Sequence, residues 1–113
     1  MPYIQVNLSE KLSDEKITEL KSAIGRIVEI IPGKAEWGLM VDVEDGKNLF
    51  FGGKPDNNAF VDTRVHGDCA AEVKAEFTRA LYGVLERVAG VPKEKLYTNF
   101  TVCDTWGAFG EIH

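Results

Sequence analysis

The residue with the clearest chemical potential lies at the start of the chain, where Pro2 follows the initiator methionine. Removal of Met1, which is usual before a small second residue, turns the ring nitrogen of Pro2 into a free secondary amine. An α-amino group titrates near about 7.7–8.0, and both burial and neighbouring cations lower its pKa. A neutral amine is an effective general base that needs no histidine. The alternative role is structural, because proline is common at the start of a strand.

The other familiar catalytic patterns are missing from the sequence. The chain has two histidines, His66 and the terminal His113, which do not support a Ser-His-Asp arrangement. His66 and Cys69 form an H-x-x-C, but zinc sites favour short-spaced ligand pairs in both halves of the site, and we predict no metal. The glycine-rich segment 51–54 lacks the nucleotide-binding loop patterns. The sequence therefore predicts chemistry without a cofactor.

Charge and composition narrow the class of protein. The chain has 113 residues and a net charge of −5, from 13 Lys and Arg against 18 Asp and Glu. Its length suits a single domain over residues 1–113. An acidic surface repels phosphate backbones, so we predict no nucleic-acid partner. No apolar run reaches the roughly 18 residues of a membrane helix, and no signal-peptide pattern opens the chain. We therefore expect a cytoplasmic protein whose two cysteines, Cys69 and Cys103, are reduced.

Hydrophobic periodicity predicts the elements that position the amino terminus. Residues 2–8 alternate apolar and polar side chains, which indicates a half-buried strand with Pro2 on its apolar face. Ser13 is the predicted cap of a helix whose apolar stripe continues to Ile31, and Pro32-Gly33 ends it. A second helix is predicted from a cap at Asp68 to Gly90. Further strands are predicted at 37–43, at 48–51 after a hairpin turn at Asp45-Gly46, at 60–65 and at 97–103.

The two halves of the chain repeat one pattern of strand, helix, proline stop and strand. Ile31-Pro32 in the first half matches Val91-Pro92 in the second at an offset of 60 residues. Two such β-α-β units predict an α+β fold, with a four-stranded mixed sheet and both helices on one face. The other face stays uncovered, and the apolar and aromatic content of the chain leads us to expect that it is buried in an oligomer.

Four features together resemble the macrophage migration inhibitory factor family of the tautomerase superfamily. They are Met1-Pro2 opening a strand, the doubled β-α-β pattern, Phe51-Gly52-Gly53 in the central loop and Tyr97-Thr98-Asn99-Phe100 in the last long strand. The resemblance covers nearly the whole chain. It implies a homotrimer whose active sites lie at the subunit boundaries, which would also cover the open face of the sheet.

The resemblance also implies a role for each site residue. Pro2 corresponds to the catalytic base of the family, and Lys34 to the lysine that binds the substrate carboxylate. Tyr97 and Asn99 correspond to residues that a neighbouring subunit contributes. The main chain near His66 corresponds to a segment that touches substrate, and the His66 side chain replaces an apolar residue. The implied activity is keto–enol tautomerisation of an α-keto acid such as phenylpyruvate, with Trp37 or Trp106 as an aromatic wall.

Two other functions remain open at this point. Some family members act as cytokine-like ligands that leave the cell without a signal peptide, which implies a receptor protein as partner. A trimer that has lost turnover is the other alternative, although Pro2, Lys34, Tyr97 and Asn99 are all present. The family's best-known member also has a C-x-x-C after the Phe-Gly-Gly loop. Residues 55–60 lack it, so a thiol-oxidoreductase activity is not supported.

Overall fold

Two β-α-β units share one sheet in the computed structural model, which describes residues 1–113. The elements in chain order are β1 (Pro2–Leu8), α1 (Asp14–Ile27), β2 (Met40–Glu44), β3 (Ala59–His66), α2 (Ala71–Ala89), β4 (Leu96–Thr98), β5 (Thr101–Cys103), β6 (Gly107–Ala108) and β7 (Glu111–Ile112). Strand β1 pairs in parallel with β2 and antiparallel with β3, and β3 pairs in parallel with β4 and β5. The predicted α+β fold with two repeats and a mixed sheet is confirmed.

The amino-terminal strand and helix form for the reasons that the sequence suggests. Buried and half-buried side chains alternate strictly along β1, with Pro2 among the buried ones. The backbone N–H of Lys16 donates to the Ser13 hydroxyl at 3.2 Å, so Ser13 caps α1 as predicted. Asp14 and Glu15 occupy the first turn, where the helix dipole favours acids. These local signals fix the direction in which the chain leaves β1.

Replacing Ser13 by alanine is expected to lower the free energy of unfolding by about 1 kcal/mol, because the Lys16 N–H loses its acceptor. Urea denaturation measures the change. Thr18→Ala on the same helix is the control, since Thr18 is exposed and lies outside the cap. Equal stability of the Ser13→Ala variant and the unchanged protein would show that the cap contributes nothing.

The core lies between the sheet and the two helices. Its 18 apolar residues form one cluster and come from β1, β3, both helices and the segments that follow the helices. Phe77 of α2 is fully buried and meets the ring of Phe100 edge-on, with centroids 6.0 Å apart. Ile31 and Val91, the matched residues of the repeat, are both buried. The core therefore anchors the ends of both helices against the sheet that carries the amino terminus.

The predicted hairpin at Asp45-Gly46 is wrong, and so is the strand at 48–51. The N–H groups of Gly46 and Lys47 donate to the carbonyls of Glu10 and Leu8, at 3.1 and 2.9 Å, which draws the chain back along β1. The tight turn lies further on. Phe51 and Lys54 exchange two backbone hydrogen bonds around Gly52-Gly53, which both have positive φ. Gly-Gly suits such a turn because glycine adopts positive φ without strain.

Three element boundaries also differ from the prediction. Residues 36–38 form a short 3-10 turn, so β2 begins at Met40 and leaves Trp37 outside the sheet. Ala70 occupies the cap position of α2, while Asp68 accepts from the N–H of Cys69 and pairs with Lys74 at 2.9 Å. The last strand is interrupted between β4 and β5, because the N–H of Thr63 donates to the Asn99 side chain instead of to a backbone carbonyl.

The open face of the sheet is polar, contrary to the expectation that apolar side chains cover it. Asp42 accepts hydrogen bonds from Tyr3 and Gln5, at 3.3 and 3.0 Å, and Arg64 pairs with Asp62 at 3.0 Å. The large exposed apolar side chains lie near the ends of the sheet and in the tail instead: Trp37, Met40, Phe50, Tyr97, Phe109 and Ile112. Neither helix is long and apolar enough to cross a bilayer.

Candidate active site

A cavity of about 370 Å³ opens beside the amino terminus. Its lining is mainly apolar and comes from the start of β1, from the 36–38 turn with the start of β2, and from the carboxy-terminal hairpin of β6 and β7. The side chains that line it include Met1, Pro2, Trp37, Met40, Trp106 and Phe109. The volume and the apolar walls are typical of a site for a small molecule.

Lys34 and the main chain of His66 meet beside Met1, which lines this cavity. The Lys34 ammonium donates to the carbonyl of His66 at 2.9 Å, and the N–H of His66 donates to the carbonyl of Met1 at 3.1 Å. Pro2 is the register partner of Val65 on the neighbouring strand. Three of the predicted site residues, Pro2, Lys34 and His66, are therefore brought together. An ammonium carries three donors, and Lys34 directs one to His66 and a second toward the Met1 amino group.

The electrostatics of this corner favour a neutral amine. The pKa of the Met1 amino group is lowered from its ordinary value of 8.0 to about 6. Burial is the largest cause, followed by a hydrogen bond from Lys34 and by the positive charge of Lys34. Each of these causes disfavours the cationic form of an amine. Pro2 is one residue further into the same strand and is buried.

The structure places Tyr97 far from the amino terminus of its own chain. Tyr97 is the register partner of Phe60, and Pro2 that of Val65, five residues further along β3. At about 3.3 Å per residue, the two positions lie roughly 16 Å apart. Tyr97 is 62% exposed and lines a second cavity of about 350 Å³. Within one chain, the predicted site residues therefore lie in two separate places.

Asn99 already uses its side-chain amide within the chain. Its oxygen accepts from the N–H of Thr63 at 2.8 Å, and its nitrogen donates to the Asp62 carboxylate at 3.0 Å. These bonds hold the interrupted last strand against β3. The amide nitrogen has a second N–H that neither bond uses, because a side-chain amide carries two donors.

The carboxy-terminal hairpin supplies a wall of the cavity in which Trp106 was expected from the family resemblance and Phe109 was not. Trp106 and His113 exchange backbone hydrogen bonds at 3.1 and 2.8 Å, which closes the hairpin. Phe109 sits in its turn with a φ of 53° and is 83% exposed. The ring of His66 lies 6.3 Å from that of Trp106. The one sequence signal for Phe109 is its place beside Gly110 in an aromatic-containing tail.

No three His, Cys, Asp or Glu side chains lie close enough together to hold a metal ion. Cys69 and Cys103 are both free thiols. The polar groups beside the amino terminus are the terminal amine, the Lys34 ammonium and the backbone N–H of His66. Such a set can bind a carboxylate and move a proton.

Known proteins with this fold share nearly its full length. The family model described as Macrophage migration inhibitory factor (MIF) matches residues 1–110. The structure of Leishmania major MIF2 is 26% identical, covers 100% of this chain and 97% of its own, and superposes with a TM-score of 0.91. The MIF-like protein of Entamoeba histolytica is 23% identical, with 99% of this chain and 98% of that chain covered and a TM-score of 0.87.

A third structure, Pt0534 inactivated by 2-oxo-3-pentynoate, is 18% identical, with 96% of this chain and 92% of that chain covered and a TM-score of 0.85. At this level of identity, as for the Entamoeba protein, the likeness shows the fold alone. A search of curated proteins finds no significant match.

Proposed function

The chain belongs to the macrophage migration inhibitory factor family, within the tautomerase superfamily, and from this premise we propose that it is a keto–enol tautomerase of α-keto acids such as phenylpyruvate. The observation that carries the proposal is the amine environment at the amino terminus. Burial and Lys34 lower the pKa of the terminal amino group there to about 6. The proposal extends these causes to the Pro2 nitrogen, which becomes the terminal amine once Met1 is removed and which, when neutral, is able to accept a proton.

In the proposed reaction, the neutral nitrogen of Pro2 takes a proton from the carbon next to the substrate carbonyl. The electron pair of the broken C–H bond forms the enol double bond, the π pair of the carbonyl moves onto its oxygen, and that oxygen receives the proton back from the Pro2 nitrogen. In the reverse direction the same nitrogen returns a proton to carbon. Pro2 thus acts as base and then as acid, and no cofactor takes part.

Lys34 is the proposed residue that binds the substrate carboxylate. It lies beside the amino terminus, and once Met1 is removed two of its three donors are not used by the His66 carbonyl. Removal of Met1 also takes away the carbonyl that accepts from the His66 N–H. That donor is then free beside Pro2 and is proposed to bind a substrate oxygen. Hydrogen bonds from charged donors to carboxylates are about twice as strong as neutral ones, so Lys34 is expected to contribute most of the binding energy at this end.

A homotrimer is proposed to complete the site. Tyr97 lies at the opposite end of the sheet from Pro2, so it reaches a substrate at Pro2 only if it comes from a second copy. Asn99 is bonded to Thr63 in the middle of β3 and is proposed to come from the same second copy. Exposed apolar side chains mark both ends, with Trp37 and Met40 at one and Phe50 and Tyr97 at the other. Burial of these groups between copies would remove them from water.

Pt0534 gives support for the substrate class, since it was inactivated by 2-oxo-3-pentynoate, which is itself an α-keto acid. A protein of the same fold therefore accepts this kind of molecule. The apolar walls of the first cavity suit an α-keto acid with an apolar side chain.

The direct test is an activity assay on the mature chain. Loss of Met1 is confirmed by mass spectrometry, and the absorbance of the phenylpyruvate enol is followed over time. We expect enol loss well above the rate in buffer. A mature chain that leaves the buffer rate unchanged, with phenylpyruvate and with aliphatic α-keto acids alike, would overturn the proposal.

Replacing Trp37 by alanine is expected to raise KM for phenylpyruvate by roughly tenfold, because an aromatic contact is worth about 0.5–1.5 kcal/mol beyond the area it buries. Trp37 is 80% exposed, so the fold loses little. KM for an aliphatic α-keto acid is expected to stay within about twofold, which assays on both substrates would measure. Trp37→Phe, which keeps a ring, is the control. An equal rise for both substrates would argue against an aromatic wall at Trp37.

A further inference from the structure

Asn58 is a buried polar residue in the central loop, which we define as residues 45–58 between β2 and β3. It is 1% exposed. Its side-chain nitrogen donates to the carbonyls of Leu49, Lys54 and Asp56, at 3.2, 3.5 and 2.7 Å. One amide group thus holds three points of the central loop, and the loop closes around it.

The backbone of the same residue ties the loop to the end of β1. The Asn58 N–H donates to the Ser9 hydroxyl at 2.9 Å, and the Ser9 N–H donates to the Asn58 carbonyl at 3.0 Å. The Ser9 hydroxyl in turn donates to the Asp56 carbonyl at 2.8 Å. Ser9 and Asn58 together fix the loop relative to the sheet.

The loop positions a short chain of contacts that ends at Tyr97. The rings of Phe51 and Tyr97 lie 4.8 Å apart. The Lys95 ammonium stands 5.4 Å from the centre of the Phe51 ring and 3.5 Å from the Asp56 carboxylate. Because Tyr97 is otherwise 62% exposed, its neighbours on the loop decide where its ring points. Asn58 lines the same second cavity as both rings.

Only the donor half of the Asn58 amide is used. Its side-chain oxygen is buried without a hydrogen-bond partner, a state that costs free energy. Aspartate has nearly the same shape but offers two oxygens where three carbonyls need a donor. The substitution would therefore replace attraction by repulsion at the centre of the loop, while the volume of the core stays the same.

We propose that Asn58 is a positioning residue for substrate binding. Through the central loop and Phe51 it orients Tyr97, which forms part of the site in a neighbouring copy. The inference rests on the proposed function and goes beyond it by assigning a role to a residue far from the reacting atoms. Tyr97 moves no proton in the mechanism, so a disordered Tyr97 is expected to weaken binding and to leave the chemical step intact.

The test compares Asn58→Asp with Asn48→Asp, which makes the same charge change at an exposed position in the same loop. We expect Asn58→Asp to raise KM for phenylpyruvate about tenfold with kcat within about twofold, and Asn48→Asp to change neither. An unchanged KM in Asn58→Asp would overturn the proposal, and so would a loss of kcat with KM unchanged.

A double-mutant cycle with Tyr97→Leu separates positioning from a general loss of stability. If Asn58 acts through Tyr97, Asn58→Asp raises KM much less in the Tyr97→Leu background than in the unchanged protein. Full additivity of the two effects would overturn the proposal. If Asn58→Asp does not fold, Phe51→Leu decides in its place, because it breaks the contact to Tyr97 without burying a charge. An unchanged KM in Phe51→Leu would overturn the proposal as well.

Failure of this inference is distinguishable from failure of the proposed function. An inactive mature protein, or one whose activity is unaffected by replacement of Pro2, contradicts the tautomerase mechanism itself. A Pro2-dependent tautomerase whose KM does not respond to Asn58→Asp contradicts only the role of Asn58.

Discussion

Replacing Pro2 by glycine is expected to lower kcat for phenylpyruvate tautomerisation by about 10²- to 10⁴-fold, the usual contribution of a positioned general base. Glycine keeps a terminal amine. It lacks the ring that fixes φ, and the more mobile nitrogen is no longer held beside Lys34. Circular dichroism would show whether the fold is retained, which we expect because Pro2 is the first residue of β1.

A matched control keeps the proline and removes only its basicity. Insertion of one alanine between Met1 and Pro2 turns the ring nitrogen into an amide, which is not a base. We expect this variant to be as inactive as Pro2→Gly. If both variants turn over substrate like the unmodified protein, the general-base mechanism is excluded. Protein binding that survives both changes would instead favour the cytokine-like alternative.

Replacing Lys34 by glutamine is expected to lower kcat/KM for α-keto acids by roughly tenfold to a hundredfold, because a hydrogen bond to a charged group contributes about 1.5–3 kcal/mol. The glutamine amide keeps a donor but loses the positive charge. Steady-state kinetics on the purified variant measure the loss. Lys93→Gln is the matched control, since it removes one exposed positive charge after the other proline stop.

The same variant is expected to shift the pH profile. The neutral amine is the active form, so activity rises as pH increases through the pKa of the amine. Lys34 is among the causes that lower the pKa of the terminal amino group. Its removal moves that pKa back toward the ordinary value of 8.0, and the rising limb of the profile moves to higher pH. A limb that stays in place would show that Lys34 binds substrate without tuning the base.

The parts of the fold that the sequence predicted are those that depend on local pattern. Strand β1, helix α1 with its Ser13 cap, and helix α2 follow from periodicity and from one capping residue. The hairpin at Asp45-Gly46 was wrong because the N–H groups of Gly46 and Lys47 find acceptors just after β1 and at its last residue, which are distant in the sequence. Asp68 was misassigned for a related reason, since it pairs with Lys74 one turn into the helix.

The candidate site divides in the same way. Pro2, Lys34 and His66 were named from the sequence and from the family resemblance, and the structure brings them together. The aromatic Phe109 and the buried Asn58 were not assigned to the site from the sequence. The first is an exposed side chain in a turn and the second a loop asparagine, and neither has a periodic signal. Their roles depend on which distant segments lie against them.

Titration of the Pro2 nitrogen by NMR in the mature, nitrogen-labelled protein tests the central claim most directly. The account predicts that the Pro2 nitrogen loses its proton at a lower pH than an exposed prolyl amine, in line with the effect of burial and Lys34 on the terminal amino group. A Pro2 nitrogen that is still fully protonated above about pH 9 would contradict it, because a cationic amine cannot accept the substrate proton.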